Sequence, residues 1–114
     1  MTHTENMAPP KIVLVTGCST GIGLSTAVLL ASDKEKRFKV YATLRNLAKK
    51  DELYEKGKYF LGETLIVKAM DVCSEDSVHE VLRELLAIHH RVDVLSKFCA
   101  HWKTQNVSLT VIVV

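Results

Sequence analysis

The octet Thr16-Gly17-Cys18-Ser19-Thr20-Gly21-Ile22-Gly23 carries the strongest chemical signal in the chain. It follows a short apolar run and opens a stretch with helical periodicity. Glycine lets a chain turn sharply and lets backbone approach a ligand closely. The first turn of a helix presents unpaired N–H groups and the positive end of the helix dipole. Together these make a seat for a phosphate or pyrophosphate, with Gly17, Ser19, Thr20, Gly21, Ile22 and Gly23 as the candidate contacts. The spacing is G-x-x-x-G-x-G rather than the G-x-G-x-x-G of the general dinucleotide fingerprint, but the strand-before, helix-after context is met. The competing reading is a helix start that needs glycine only to turn.

A second residue bears on the ligand. The run Phe38–Thr43 ends in Leu44-Arg45. A site for NAD places an acidic residue there, to accept from the ribose hydroxyls, whereas an arginine accommodates a 2′-phosphate. The planar guanidinium holds a phosphate with two parallel bonds. Arg45 therefore argues for NADP(H), against the plainer alternative of a solvated surface arginine. His89, His90, Cys99 and His101 resemble a ligand set only loosely, with a spacing that fits no common zinc site; no metal is expected.

These residues need elements to position them. Lys11–Thr16 (KIVLVT) is β-branched and apolar, as in a strand buried on both faces. Ile22–Ser32 reads as a helix of about three turns. Phe38–Thr43 and Thr64–Met70 are further strands, with a weaker charged helix over Leu47–Lys56 ended by Gly57. Ser74 stands as an N-cap with Glu75 and Asp76 in the first turn. Val78, Val81, Leu82, Leu85 and Leu86 then recur at i, i+3, i+4, i+7 and i+8, the cleanest amphipathic helix of the chain. Val92–Leu95 begins a fourth strand. Strand and helix alternate, so the expected fold is α/β, a three-layer parallel sheet of three βα units plus a fourth strand, with right-handed crossovers.

The composition agrees with one ordinary domain. The chain has 114 residues, 47% hydrophobic and 25% charged, with Lys+Arg 15 against Asp+Glu 13. A net charge of +2 gives no argument for nucleic acid or an anionic membrane. No run reaches the roughly 18 apolar residues of a membrane span, and MTHTENMAPP carries no apolar core of a secretory signal. Scattered cysteines at 18, 73 and 99 point to reduced thiols and a cytosolic setting. Lys34, Lys36, Arg37 and Lys39 read as a solvated turn.

The octet TGCSTGIG resembles the cofactor loop of the short-chain dehydrogenase/reductase family. The likeness continues through KIVLVTGCSTGIGLSTAVLLASD, FKVYATLRNL, ETLIVKAMDVCSEDSV and RVDVL. It covers residues 11–95 and points to the branch of 17-beta-hydroxysteroid and retinol dehydrogenases. The resemblance implies the first half of a Rossmann-type sheet and NADP(H)-dependent oxidation or reduction of a steroid or retinoid by a full-length relative. It also implies that the Thr20 hydroxyl assists Arg45, that Asp71 accepts from the adenine amino group, and that the Val72 N–H contacts the ring. For Asp71 the alternative is a plain cap on the turn before the next helix. Cys18 matches the family loop and reads as packing.

The family's Asn-Asn-Ala-Gly segment is expected after the fourth strand, but VDVL runs into Ser96-Lys97-Phe98-Cys99-Ala100. The expected division is a flexible leader over 1–10, a partial NADP-binding domain over 11–95 and a divergent tail over 96–114. The β-prone Val107–Val114 is a candidate extra edge strand, and Phe98 and Trp102 are candidates to cover the sheet edge. The family's catalytic Ser, Tyr and Lys match no position, so no catalytic residue is assigned and the chain is expected to be inactive alone. Tyr54 and Lys58 fit Tyr-x-x-x-Lys, but Gly57 lies between them and the family places that segment away from the reacting end. Partners other than NADP(H), and any oligomer, stay unassigned.

Overall fold

A computed structural model describes residues 9–97 and 110–113. The elements run β1 (Lys11–Val15), α1 (Gly21–Ala31), β2 (Phe38–Leu44), a 3₁₀ turn (Leu47–Lys49), α2 (Asp51–Gly57), β3 (Leu65–Ala69), α3 (Glu75–His89), β4 (Val94–Lys97) and β5 (Thr110–Val113). The strands form one parallel sheet in the order β3-β2-β1-β4-β5. This is the α/β order expected for a doubly wound fold, with β1 at the centre and the crossovers on either side. β5 pairs in parallel with β4, Val94 opposite Thr110 and Lys97 opposite Val113. The proposed leader and tail lie outside the described residues apart from 9–10, 96–97 and β5, and with them Phe98, Cys99, His101 and Trp102.

The strand period of two explains the layers. In β1, Val13 and Val15 join Ala27, Ala31, Val40, Ala42, Leu44, Leu53 and Leu65 in a core beneath α1 and α2. The intervening Ile12 and Leu14 join Tyr41, Met70, Val78, Val81, Leu82, Leu85 and Val92 beneath α3. Both faces of β1 are thus covered, which is why the strand reads as an unbroken apolar run. The heptad-like stripe of α3 is buried as its spacing predicts.

Side chains fasten the helix ends. The Ser74 hydroxyl accepts from the Ser77 N–H at 3.3 Å, capping α3. His90 closes α3 in the left-handed region, φ 64°, and its N–H donates to the Leu86 carbonyl at 2.8 Å. The Thr64 hydroxyl donates to the Ala31 carbonyl at 2.6 Å and joins the end of α1 to the start of β3. Asp93 ties β4 to β1: its Oδ2 accepts the Ile12 N–H at 2.7 Å. Burial pushes the Asp93 pKa up, but the Ile12 N–H and the Arg91 guanidinium together hold it below the ordinary carboxylate range.

Among β1–β4 and the helices, two stretches differ from the sequence expectation by more than one residue at an end. The stretch 47–56 is a 3₁₀ turn followed by α2, because the Asn46 side chain accepts from the Ala48 N–H at 2.9 Å and the Lys49 and Lys50 amides bond back by three residues. α-Helical register begins only with the Tyr54 N–H donating to the Lys50 carbonyl. β4 starts at Val94 rather than Val92, since Asp93 turns its side chain to the start of β1.

Candidate functional site

The glycine loop leaves β1 at the C-terminal edge of the sheet, where ligands bind in open α/β folds. Gly17 and Gly21 both sit in the left-handed region, φ 65° and 66°. Space in front of Gly21 is open: a Cβ built there meets nothing within 4 Å. Gly23 is the reverse case. A Cβ there would fall on the Gly17 carbonyl and 2.9 Å from the Thr16 oxygen, so the helix packs onto the loop with no room for a side chain. Thr20 takes the N-cap position in extended conformation, and its side chain accepts no bond from α1. Gly17, Thr20, Gly21 and Ile22 are exposed and Ser19 is half-buried, while Gly23 is buried beneath them. Ile22 leaves 62% of its surface bare at the mouth of the loop.

The loop is pinned from behind. The Cys18 N–H donates to the Thr43 carbonyl at 3.0 Å. The Thr43 hydroxyl donates to the Val15 carbonyl at 2.9 Å, and the Cys18 thiol reaches the same oxygen at 3.3 Å. Burial pushes the Cys18 pKa up to about 12, so this thiol stays protonated and packs. Thr43 therefore joins the loop to the end of β2, two positions before Arg45. Sequence reasoning passed over Thr43, whose partners lie far from it along the chain.

Arg45 and Asp71 come together across the ends of β2 and β3. The Arg45 Nε lies 3.8 Å from the Asp71 Oδ2, with the arginine side chain 79% exposed and the carboxylate 35%. The Met70 N–H donates to the Leu44 carbonyl at 3.0 Å and sets the register of the two strand ends. Asp71 also makes a turn: its Oδ1 accepts the Cys73 N–H at 2.9 Å and its own N–H donates to the Ser77 hydroxyl at 2.9 Å. Val72 is half-buried and packs against the core beneath α3.

The residues set aside by their spacing have other partners. Lys50 lies over the Tyr54 ring, while Lys58 pairs with Glu55 and lies over Tyr59. Arg37 grips Asp33 with its Nε at 3.0 Å and Nη2 at 2.8 Å, holding that carboxylate down at about 2, and Lys36 pairs with Glu63. Among the described residues no group of three or more His, Cys, Asp or Glu is placed to hold a metal ion. Among them, too, no helix is long and apolar enough to cross a membrane.

The profile of the short chain dehydrogenases matches residues 11–110. The chain belongs to the short-chain dehydrogenase/reductase family. The match passes residue 95, where the resemblance in sequence ends, and reaches the first residue of β5. Human retinol dehydrogenase 8 is 49% identical over 88 residues, covering 77% of this chain and 27% of the relative. Human 17-beta-hydroxysteroid dehydrogenase type 1 is 40% identical over 84 residues, covering 74% of this chain and 26% of the relative. The chain thus spans about a quarter of the length of these relatives. Among solved structures, a metagenomic short-chain oxidoreductase in complex with NADP superposes with a TM-score of 0.62 at 29% identity, covering 75% of this chain and 37% of that one. The family's oxidoreductases bind nicotinamide cofactors, and the open space in front of Gly21 leaves room for the phosphates of such a nucleotide.

Proposed function

We propose that these residues form the nucleotide-binding half of an NADP(H)-dependent oxidoreductase acting on a retinoid or steroid alcohol–carbonyl pair. The observation that carries the reading is the position of Arg45. Its side chain stands exposed just past β2, two residues after Thr43, whose carbonyl holds the Cys18 N–H of the glycine loop. In this reading Gly17, Ser19, Thr20, Gly21, Ile22 and Gly23 receive the pyrophosphate by backbone N–H groups and the dipole of α1. Arg45, assisted by the Thr20 hydroxyl, receives the 2′-phosphate, and Asp71 and Val72 border the adenine. The bound nicotinamide supplies hydride transfer. The substrate class follows from the names of the relatives, a retinol and a 17-beta-hydroxysteroid dehydrogenase.

Proton transfer to or from the substrate oxygen needs an acid–base residue held beside the nicotinamide. We assign none among these residues. The reading for these residues is therefore nucleotide binding, and it carries no assignment of the proton-transfer step. A cytosolic setting accords with the scattered cysteines.

The test is ligand-dependent melting of the purified chain. NADP(H) raises the Tm at concentrations where NAD(H) does not, because a ligand of the folded state stabilises it by mass action. Arg45→Asp reverses the order. Equal shifts by the two nucleotides with the native chain contradict the proposal.

A further inference from the structure

We propose that Asp71 is a second determinant of nucleotide choice, because its carboxylate holds Arg45 and competes with the 2′-phosphate for the guanidinium. The inference rests on the 2′-phosphate reading of Arg45 and goes beyond it. Three hydrogen bonds fix Asp71: Oδ1 accepts the Cys73 N–H at 2.9 Å, the N–H donates to the Ser77 hydroxyl at 2.9 Å, and the carbonyl accepts the Ser74 N–H at 3.0 Å. The remaining oxygen, Oδ2, faces the Arg45 Nε at 3.8 Å. Arg45 is the movable member, a long side chain 79% exposed against 35% for Asp71. A fixed acceptor beside a mobile cation sets where that cation rests.

The two nucleotides then differ in what they must displace. One without a 2′-phosphate enters beside an intact Arg45–Asp71 pair. A 2′-phosphate takes the guanidinium with parallel charge-assisted bonds and leaves the carboxylate behind. Its binding costs the lost pair. An exposed pair of this kind is weak, so Asp71 trims the preference rather than abolishing it.

The experiment compares dissociation constants for adenosine 2′,5′-bisphosphate and adenosine 5′-monophosphate, measured by calorimetry on the purified chain. Both probes carry adenine, so any contact of Asp71 with the ring cancels in their ratio. Asp71→Asn keeps an Oδ1 acceptor for the Cys73 N–H and raises the preference for the bisphosphate about two- to fivefold. Asp71→Ser, which also retains a turn-forming oxygen, gives the same direction should the first variant fold poorly. In an Arg45→Ala background the Asp71→Asn effect vanishes, because the competition runs through the guanidinium. An unchanged or reduced preference in both Asp71 variants overturns the inference, as does an effect that persists without Arg45. If Arg45→Ala by itself leaves the native ratio unchanged, the 2′-phosphate reading fails, and the role of Asp71 fails with it. If Arg45→Ala lowers the ratio while the Asp71 variants do not move it, the Asp71 inference fails alone.

Discussion

Gly23 and Gly21 lie in one loop and answer to different physics. Gly23 is barred from carrying a side chain by the backbone of Gly17 and Thr16. Gly21 has open space but a φ of 66°, where an L-residue pays a conformational cost of about 1–2 kcal/mol. Gly23→Ala therefore destabilises the chain by about 2–3 kcal/mol, as overpacking of a tight contact does, and prises α1 off the loop. Gly21→Ala costs less and leaves the packing intact, which denaturant melts of the two variants distinguish. The glycine spacing was readable from the chain because backbone requirements leave a residue signature. The bonds of Thr43 and Cys18 were not. They connect residues far apart in the sequence, and nothing in a lone Thr declares which carbonyl it will meet. Asp71 was readable only as an alternative, cap or ligand contact; the structure gives it a turn-forming role and a cationic neighbour together.

Helix α3 was the most legible element, since its apolar period and its cap are local properties. Ser74 takes the Ser77 N–H, and Glu75 and Asp76 lie in the first turn, favoured by the dipole. Ser74→Ala removes that cap and lowers stability by about 1 kcal/mol, read as a shift in the denaturant midpoint at constant slope. The same substitution leaves the Asp71 N–H bonded to the Ser77 hydroxyl, so the strand-end turn is retained. The segment after Arg45 was read as one helix and is a 3₁₀ turn plus a short α-helix. Residue propensities there are weak and charged, and one Asn46 side chain decides the local register. Strand β4 shifted by two residues for a comparable reason: Asp93 looks like strand sequence but serves as a bond acceptor for β1.

Across the molecule, the α/β class and the parallel sheet followed from alternation, while the contacts that couple the layers did not. One such contact makes stability depend on pH. The Tyr41 hydroxyl, buried between β2 and α3, lies 2.6 Å from the His89 Nε2. Burial and the nearby Glu84 push the Tyr41 pKa up, so the phenol keeps its proton. Burial, together with Lys39, Arg91 and His90, holds the His89 pKa below its ordinary value and favours the neutral ring. The folded chain thus binds fewer protons at His89 than the unfolded chain. The resulting stability is present above about pH 6.5, the unfolded histidine value, and is lost as pH falls through the lower folded value. The Tm falls as pH drops from 7.5 toward 5, and His89→Gln flattens that part of the profile. A Tm that rises over the same interval contradicts a neutral His89 in the folded chain.

The central claim is that the glycine loop and Arg45 act as one seat for the phosphates of NADP(H). Calorimetric titration of the purified chain with NADP(H) and with NAD(H) tests it most directly. The account predicts saturable binding of both, with a dissociation constant for NADP(H) lower by about tenfold or more, the equivalent of one charge-assisted contact. Equal constants, or no saturation by NADP(H) at millimolar concentration, contradict it.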